Sequence, residues 1–330
     1  MDKPGDRRLH RLWCVVVLCC WLMMTDDSCP AATPLPMIFD TDLESDVDDA
    51  GTVALLHALV ARGEVRVLAM GVSVKHRWSA PCLDALNTFF GHPNIPIGRV
   101  TGPGIDSGSK YAETIARDYP TDLKPGVGPD AVGVYRKALA TAKDGSVVLV
   151  SVGFLTNVAN LLRSPADAVS PLNGRQLVDR KVKSWVCMGG RFPKGREWNI
   201  HRDTRSSRYA LQHWPTRIVF SGYEIGVEIK TGAGLKQLPV RHPVRRCYQL
   251  YNGLKNRSSW DQTATLYAVQ GLDGGLKGLW DLSGPGRIVV NPDGSNTWQK
   301  NPRGRHVYLV RKQNPATIAV RLERLMLFEP

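Results

Sequence analysis

Apolar residues recur with two different periods along this chain. Met37-Ile38-Phe39 is a short apolar run of strand type, and residues 65–74, 146–151, 182–188 and 218–220 repeat that signature with β-branched and aliphatic side chains. Between these runs the spacing becomes helical. In residues 49–62, Val53, Leu56, Leu59 and Val60 fall on one face, with Asp48 or Asp49 placed to cap the helix and complement its dipole. Further helices are predicted over 81–90, from the Gly153-Phe154-Leu155-Thr156-Asn157 turn to about Arg163, and over 202–213, after a polar loop at 191–203. Residues 244–271 predict one or two helices broken near 256–259. The tail predicts a turn at Pro292-Asp293-Gly294, a strand at 306–310 and a closing amphipathic helix. Such alternation predicts the α/β class: one domain with a mostly parallel, open sheet covered by helices on both faces. Ligands of such sheets bind beyond the carboxyl ends of the strands, where the turns after Phe39, Ser151 and Met188 would gather on one rim.

The first of those turns is the most acidic stretch of the chain. Between residues 40 and 49 stand Asp40, Asp42, Glu44, Asp46, Asp48 and Asp49. Six carboxylates packed at a strand-to-helix junction repel one another unless a hard cation sits among them, and an all-oxygen donor set points to Ca²⁺ or Mg²⁺ rather than zinc. An EF-hand does not fit, because neither the loop glycine nor the closing glutamate falls at its required position. A phosphohydrolase with an aspartyl nucleophile also begins with a strand and Asp-x-Asp, so Asp40-Thr41-Asp42 alone leaves that alternative open.

Composition changes the picture at the N-terminus. Residues 1–32 place Arg7, Arg8 and Arg11 ahead of an apolar stretch over 12–24, with small residues Ala31 and Ala32 beyond it, which reads as a secretory signal peptide. The mature domain is then 33–330, exported to a periplasmic or extracellular space, with an uncleaved anchor as the lesser alternative and no stable membrane insertion once the signal is removed. Four of the seven cysteines fall in the leader, so Cys82, Cys187 and Cys247 remain as buried small groups with at most one pair. The formal charge of +13 belongs wholly to residues 33–330, since the leader carries four basic and four acidic groups. The basic segments 241–246 and 303–306 lack interleaved aromatics and read as solvated faces rather than a nucleic-acid surface.

Asp40-Thr41-Asp42 followed by Asp46-Val47-Asp48-Asp49-Ala50 resembles the N-terminal signature of the inosine/uridine-preferring nucleoside hydrolases. Three further segments follow in that family's order: Gly153-Phe154-Leu155-Thr156-Asn157, then Met188-Gly189-Gly190 with Glu197-Trp198-Asn199 and Asp203, and Trp260-Asp261. The resemblance covers roughly residues 37–271. It implies a nucleoside-hydrolase fold with a Rossmann-like core, and a calcium-dependent hydrolase that splits the N-glycosidic bond of a small-molecule ribonucleoside. By that resemblance Ca²⁺ would be held by Asp42, Asp49, the carbonyl of Val152 and Asp261. Asp42 would also orient and deprotonate the attacking water, and Asp48, Glu197 and Asn199 would bind the ribose hydroxyls. Independently of any family, carboxylates around the sugar stabilise the oxocarbenium-like charge of glycosidic cleavage.

The chain departs from that family at two places. Leu43-Glu44-Ser45 makes the first motif two residues longer than in the best-known members, so Asp46 competes with Asp48 for the ribose role. Trp260 stands where some members carry a histidine thought to protonate the leaving base. Either Trp260 stacks on the base, as Trp198 could, or the leaving group needs less help, or another acid acts; His76, His201 and Tyr223 are the candidates. Plainer readings stand beside these: Asp40 as a structural cap, His201 as a solvated loop residue, and Trp78, Trp198 and Trp260 as core or rim. The missing histidine also leaves room for a non-catalytic nucleoside binder or a hydrolase of another glycoside. The sequence does not decide the preferred base or whether the protein forms a homo-oligomer.

Overall fold

The computed structural model describes Met1, residues 33–272 and residues 278–330. The segment read as a signal peptide, from residue 2 to residue 32, lies outside the described residues. From Pro34 to Pro330 the chain forms one unit.

Its sheet is built from β1 (Leu35–Thr41), β2 (Val65–Val72), β3 (Ile97–Arg99), β4 (Val147–Ser151), β5 (Val182–Met188), β6 (Lys194–Arg196) and β7 (Arg217–Ser221). Later in the chain come the small pair β8 (Lys230–Thr231) and β9 (Arg257–Ser258), then β10 (Trp280–Leu282), β11 (Gly286–Val290), β12 (Ser295–Lys300) and β13 (His306–Arg311). The order across the large sheet is β3-β2-β1-β4-β5-β7-β13-β11-β12-β6. Every pairing from β3 to β13 is parallel. Beyond β13 the sheet continues antiparallel through β11, β12 and β6, and β10 also pairs antiparallel with β13.

Alternation along the strands divides the core into two layers. Met37 and Phe39 of β1, Val148 and Val150 of β4, and Val186 and Met188 of β5 join one apolar cluster. Ile38, Val147, Leu149, Trp185 and Cys187 face the other way, into a second cluster. Helix α1 (Asp48–Ala61) packs into the first layer, whereas helices Ala131–Thr141, Thr156–Arg163 and Thr204–His213 cover the second. Helices on both faces of a mostly parallel sheet are what the sequence pattern predicts.

Three local expectations change. Helix α1 is buried nearly all round from Asp48 to Leu59, because helices Pro243–Asn252, Trp260–Gln270 and Pro315–Met326 enclose the side away from the sheet. Gly51 makes that closeness possible: a Cβ there would lie 2.6 Å from the Tyr248 hydroxyl and 2.8 Å from Gln262 Nε2. The N-cap of α1 is Val47, with no side-chain cap, while Asp48 and Asp49 occupy the first turn and direct their carboxylates elsewhere. The stretch 191–203 contains β6 and a short helix, Trp198–Arg202, in place of a plain loop. Cys82, Cys187 and Cys247 are all buried free thiols.

Candidate active site

The carboxyl ends of β1, β4 and β5 meet at a cavity of about 360 Å³. Asp42, Asp48, Asp49, Val152, Glu197, Trp198, Asn199, Trp260 and Asp261 all line it.

Asp40, the last but one residue of β1, lies beneath that floor. Its Oδ2 accepts hydrogen bonds from the Tyr135 hydroxyl and from Asn157 Nδ2 at 2.8 Å, which ties β1 to two helices of the second layer. Side chains, not backbone amides, are therefore its partners. Burial pushes its carboxyl up to about 7. One residue on, the Thr41 hydroxyl donates to Asp49 Oδ1, which also accepts from Leu43 N at 3.2 Å. These bonds fold the acidic loop back over the start of α1, with Leu43 held at φ 23°. Gly153 has to be a glycine here, since a Cβ would sit 2.5 Å from the backbone nitrogen of Asp42 and 2.6 Å from Ser73 Oγ.

Asp48 caps a helix other than its own. Its Oδ2 accepts from the backbone nitrogens of Trp260, at 3.0 Å, and Asp261, at 3.3 Å, at the start of helix Trp260–Gln270, whose N-cap Ser259 makes no side-chain cap bond. That contact brings Asp261 to α1. One oxygen from each of Asp48, Asp49 and Asp261 lies within 4.8 Å of the other two. Burial, reinforced by the neighbouring carboxylates, raises all three well above the ordinary carboxylate range. Asp42 is raised likewise by burial and by Glu44. Buried oxygens that repel one another so strongly form a donor set suited to a hard divalent cation.

Across the cavity, Glu197 is the N-cap of helix Trp198–Arg202 and accepts from Asn199 N at 2.7 Å, Ile200 N at 3.2 Å and Gly190 N at 3.0 Å. The Gly189-Gly190 turn thus positions an acid rather than a nucleotide phosphate. Asn199 Nδ2 donates to the carbonyl of Val152 at 2.9 Å, leaving that oxygen a second lone pair. Asp203 lies behind this wall, capping helix Thr204–His213 and accepting from the Thr156 hydroxyl.

Two aromatic side chains define the opposite flank. The Trp260 indole N–H donates to the Tyr223 carbonyl at 2.8 Å, and the two rings lie 5.6 Å apart at 31°. Trp198 is 51% exposed at the rim. Of the three leaving-group acids suggested by the sequence, Tyr223 lines the cavity; His76 and His201 do not, and His76 is paired with Ser79 Oγ at 3.2 Å.

Sequence reasoning missed Arg196, Tyr251 and Arg257 among the lining residues. Arg257 Nε reaches both oxygens of Asp46, at 2.9 and 3.0 Å, while the backbone oxygen of Asp46 accepts from the Tyr111 hydroxyl at 2.6 Å. Both Asp46 and Asp48 line the cavity, Asp46 with its carboxylate paired to an arginine and Asp48 in the three-aspartate cluster. Among the described residues no helix is long and apolar enough to cross a membrane.

A mostly parallel α/β sheet with a carboxylate-lined cavity at its strand ends is the arrangement in which open α/β sheets bind their ligands. Residues 37–271 match the model of the inosine-uridine preferring nucleoside hydrolase family, and the chain belongs to that family of N-glycosyl hydrolases. Among solved structures it is similar to the inosine-uridine preferring nucleoside hydrolase of Bacillus anthracis, with a TM-score of 0.66 at 15% identity over 89% of this chain and 99% of the other. It is similar also to the purine-preferring ribonucleoside hydrolase of Gardnerella vaginalis, with a TM-score of 0.66 at 14% identity over 88% and 99%. The type III effector protein XopQ, solved with adenosine diphosphate ribose, has a TM-score of 0.63 at 16% identity over 90% and 92%. At such identities the likeness shows the fold. No functionally curated protein matches the chain in sequence.

Proposed function

We propose that this protein hydrolyses the N-glycosidic bond of ribonucleosides to ribose and free base with the help of Ca²⁺, in a periplasmic or extracellular compartment. The single observation carrying this reading is the convergence on one cavity of residues from four separate parts of the chain, Asp42 to Asp49, Val152, Glu197 to Asn199, and Trp260 with Asp261, among them the Asp48, Asp49 and Asp261 cluster. The donor chemistry fits the cation: Asp42, Asp49, Asp261 and the free lone pair of the Val152 carbonyl would hold it, with Asp48 beside Asp49 and Asp261. When bound, calcium supplies the positive charge that makes water more acidic and steadies the sugar diol.

The rest falls to the protein. Asp42 takes the proton from the attacking water, a general-base role that its carboxylate in the cavity wall allows. Asp48, Glu197 and Asn199 would hydrogen-bond the 2′ and 3′ hydroxyls, with the Glu197 carboxylate held in place by the backbone nitrogens of Gly190, Asn199 and Ile200. Holding the diol in this way fixes the anomeric carbon against the water, and such positioning contributes on the order of 7 kcal/mol. Negative carboxylates around the ring stabilise the oxocarbenium-like charge as the bond opens. The indole N–H of Trp260 is committed to Tyr223, so this side chain acts as a stacking surface for the base.

Replacing Asp42 with asparagine tests the assignment. The variant keeps calcium-dependent thermal stabilisation by ribose and loses sugar release by about a thousandfold or more, as expected for loss of a general base acting on a positioned water. Full hydrolysis by Asp42→Asn would remove the proposal. Binding without turnover in the wild-type protein would instead establish the non-catalytic reading that the missing histidine allows.

A further inference from the structure

Arginines crowd the mouth of a cavity whose floor is acidic. Arg196 and Arg257 line it. Arg191 lies over the ring of Tyr223, its guanidinium carbon 5.2 Å from the centroid, and Arg202 lies over Trp198 at 5.1 Å; both rings line the same cavity. Arg257 is committed to Asp46. Arg191, Arg196 and Arg202 are exposed, and among the described residues none of them forms an ion pair. Glu224, Asp293 and Glu44 respectively feel their charges only at longer range.

A neutral ribonucleoside offers such a rim nothing. Arg196 lines the opening itself, and stacking on Tyr223 and Trp198, which also line it, holds Arg191 and Arg202 beside it. Planar guanidinium forks of this kind match a phosphoryl group bidentately. The carboxylate floor would reject the same group, so a phosphorylated substrate can enter in one polarity only, sugar inward and phosphate at the rim. With the 2′ and 3′ hydroxyls directed to the floor, the 5′ oxygen is the ribose position left to carry it.

Resting on the hydrolase reading above, we infer that the substrate is a ribonucleoside phosphorylated on its 5′ oxygen, with Arg191, Arg196 and Arg202 as the phosphate clamp. The chemistry is unchanged and balances. The oxygen of water bonds to C1′, the C1′–N bond breaks with its electron pair going to the base, and one proton of that water ends on the base. The products are free base and ribose 5-phosphate from a mononucleotide, or free base and ribose 5-diphosphate from a nucleoside diphosphate. Either a mononucleotide or a nucleoside diphosphate presents the required group.

The experiment compares kcat/KM for inosine, inosine 5′-monophosphate and inosine 5′-diphosphate with the full protein in calcium, alongside calorimetric binding of ribose and ribose 5-phosphate. A phosphorylated inosine is preferred over inosine by about tenfold or more, in line with one or two charge-assisted bonds to arginine. That preference shrinks as salt rises. It falls in Arg196→Gln and further in the Arg191→Gln/Arg196→Gln double variant, both at exposed positions where folding is not at stake. Which phosphorylated form is favoured distinguishes the two sources. Turnover of inosine with no preference for either phosphate, and ribose 5-phosphate binding no tighter than ribose, would overturn the inference while leaving the hydrolase reading intact. If no compound is hydrolysed, tighter, arginine-dependent binding of ribose 5-phosphate upholds the clamp and the hydrolase reading falls; equal binding removes both.

Discussion

Removing calcium should make the protein less stable as pH rises, and adding it should reverse that slope. The reason is the number of buried acids at the site. Asp40 and Glu44 are pushed up to about 7 and about 8 by burial, whereas in the unfolded chain both are already ionised above pH 5. The folded state therefore binds more protons than the unfolded state over this range, and stability falls with increasing pH. Between pH 6.5 and 8.5 the loss runs at about 1.4 kcal/mol per pH unit for each acid until its folded-state pKa is passed. That amounts to about 0.7 kcal/mol for Asp40 and about 2 kcal/mol for Glu44. Discounting for solvent screening near the loop leaves about 2 kcal/mol, or about 3 °C in Tm for a chain of this size. Asp42, Asp48, Asp49 and Asp261, raised for the same reason, add to the loss with the same sign. A cation replaces the protons and binds better as they leave; at a hundred times its Kd it adds about 2.7 kcal/mol. The assay is thermal unfolding at pH 6.5, 7.5 and 8.5 with calcium and with a chelator. The difference in Tm between the two conditions grows with pH. A difference that is constant or shrinks would refute the linkage of these carboxylates to a cation.

Other perturbations give separable outcomes. Gly153→Ala drives a Cβ into the Asp42 backbone, so it should cost about 1–3 kcal/mol in urea unfolding and lower kcat; wild-type kinetics would contradict the close approach. Asp46→Asn frees Arg257 at the cavity mouth and should raise KM about fivefold, since the ion pair is partly exposed and worth about 1 kcal/mol; an unchanged KM would show that the pair does not position the acidic loop. His57 is buried against Asn87 and held at about 4, below its unfolded value, so below pH 6.5 the unfolded chain binds the extra proton and stability falls toward pH 4. His57→Gln should therefore flatten the slope of stability against pH between 6.5 and 4.5 by about 1.4 kcal/mol per unit, and an unaltered slope would refute the assignment.

The parts of the site legible in the sequence are those in which several ligand-type residues are adjacent in the chain. Asp40 to Asp49 is one such stretch, and Glu197-Trp198-Asn199 and Trp260-Asp261 are others; each follows a strand or opens a helix, so local pattern places it on the rim. Arg257 carries no such signal. It is one basic residue among 43, and its meaning comes from Asp46, 211 positions earlier. The same distance hides the role of Asp48, read from its neighbours as a cap for α1 and found capping the helix that begins 212 residues later. In the fold, strands buried on both faces stand out as continuous apolar runs, whereas β12 is Ser-Asn-Thr-Trp-Gln-Lys and mostly exposed. Its pairing comes from β11 and β6, not from an apolar pattern of its own. Helices Ala131–Thr141 and Gly174–Lys181 carry only a side-chain cap each, Asp130 or Asn173, as a start signal in the sequence.

Sugar release tests the central claim most directly. The purified protein, supplied with inosine, uridine, adenosine, guanosine, cytidine and the 5′-phosphate of each, is assayed for reducing sugar with calcium, with a chelator, and with calcium restored. The account predicts release that stops with the chelator and returns with the ion; release indifferent to the chelator, or none from any compound, would contradict it.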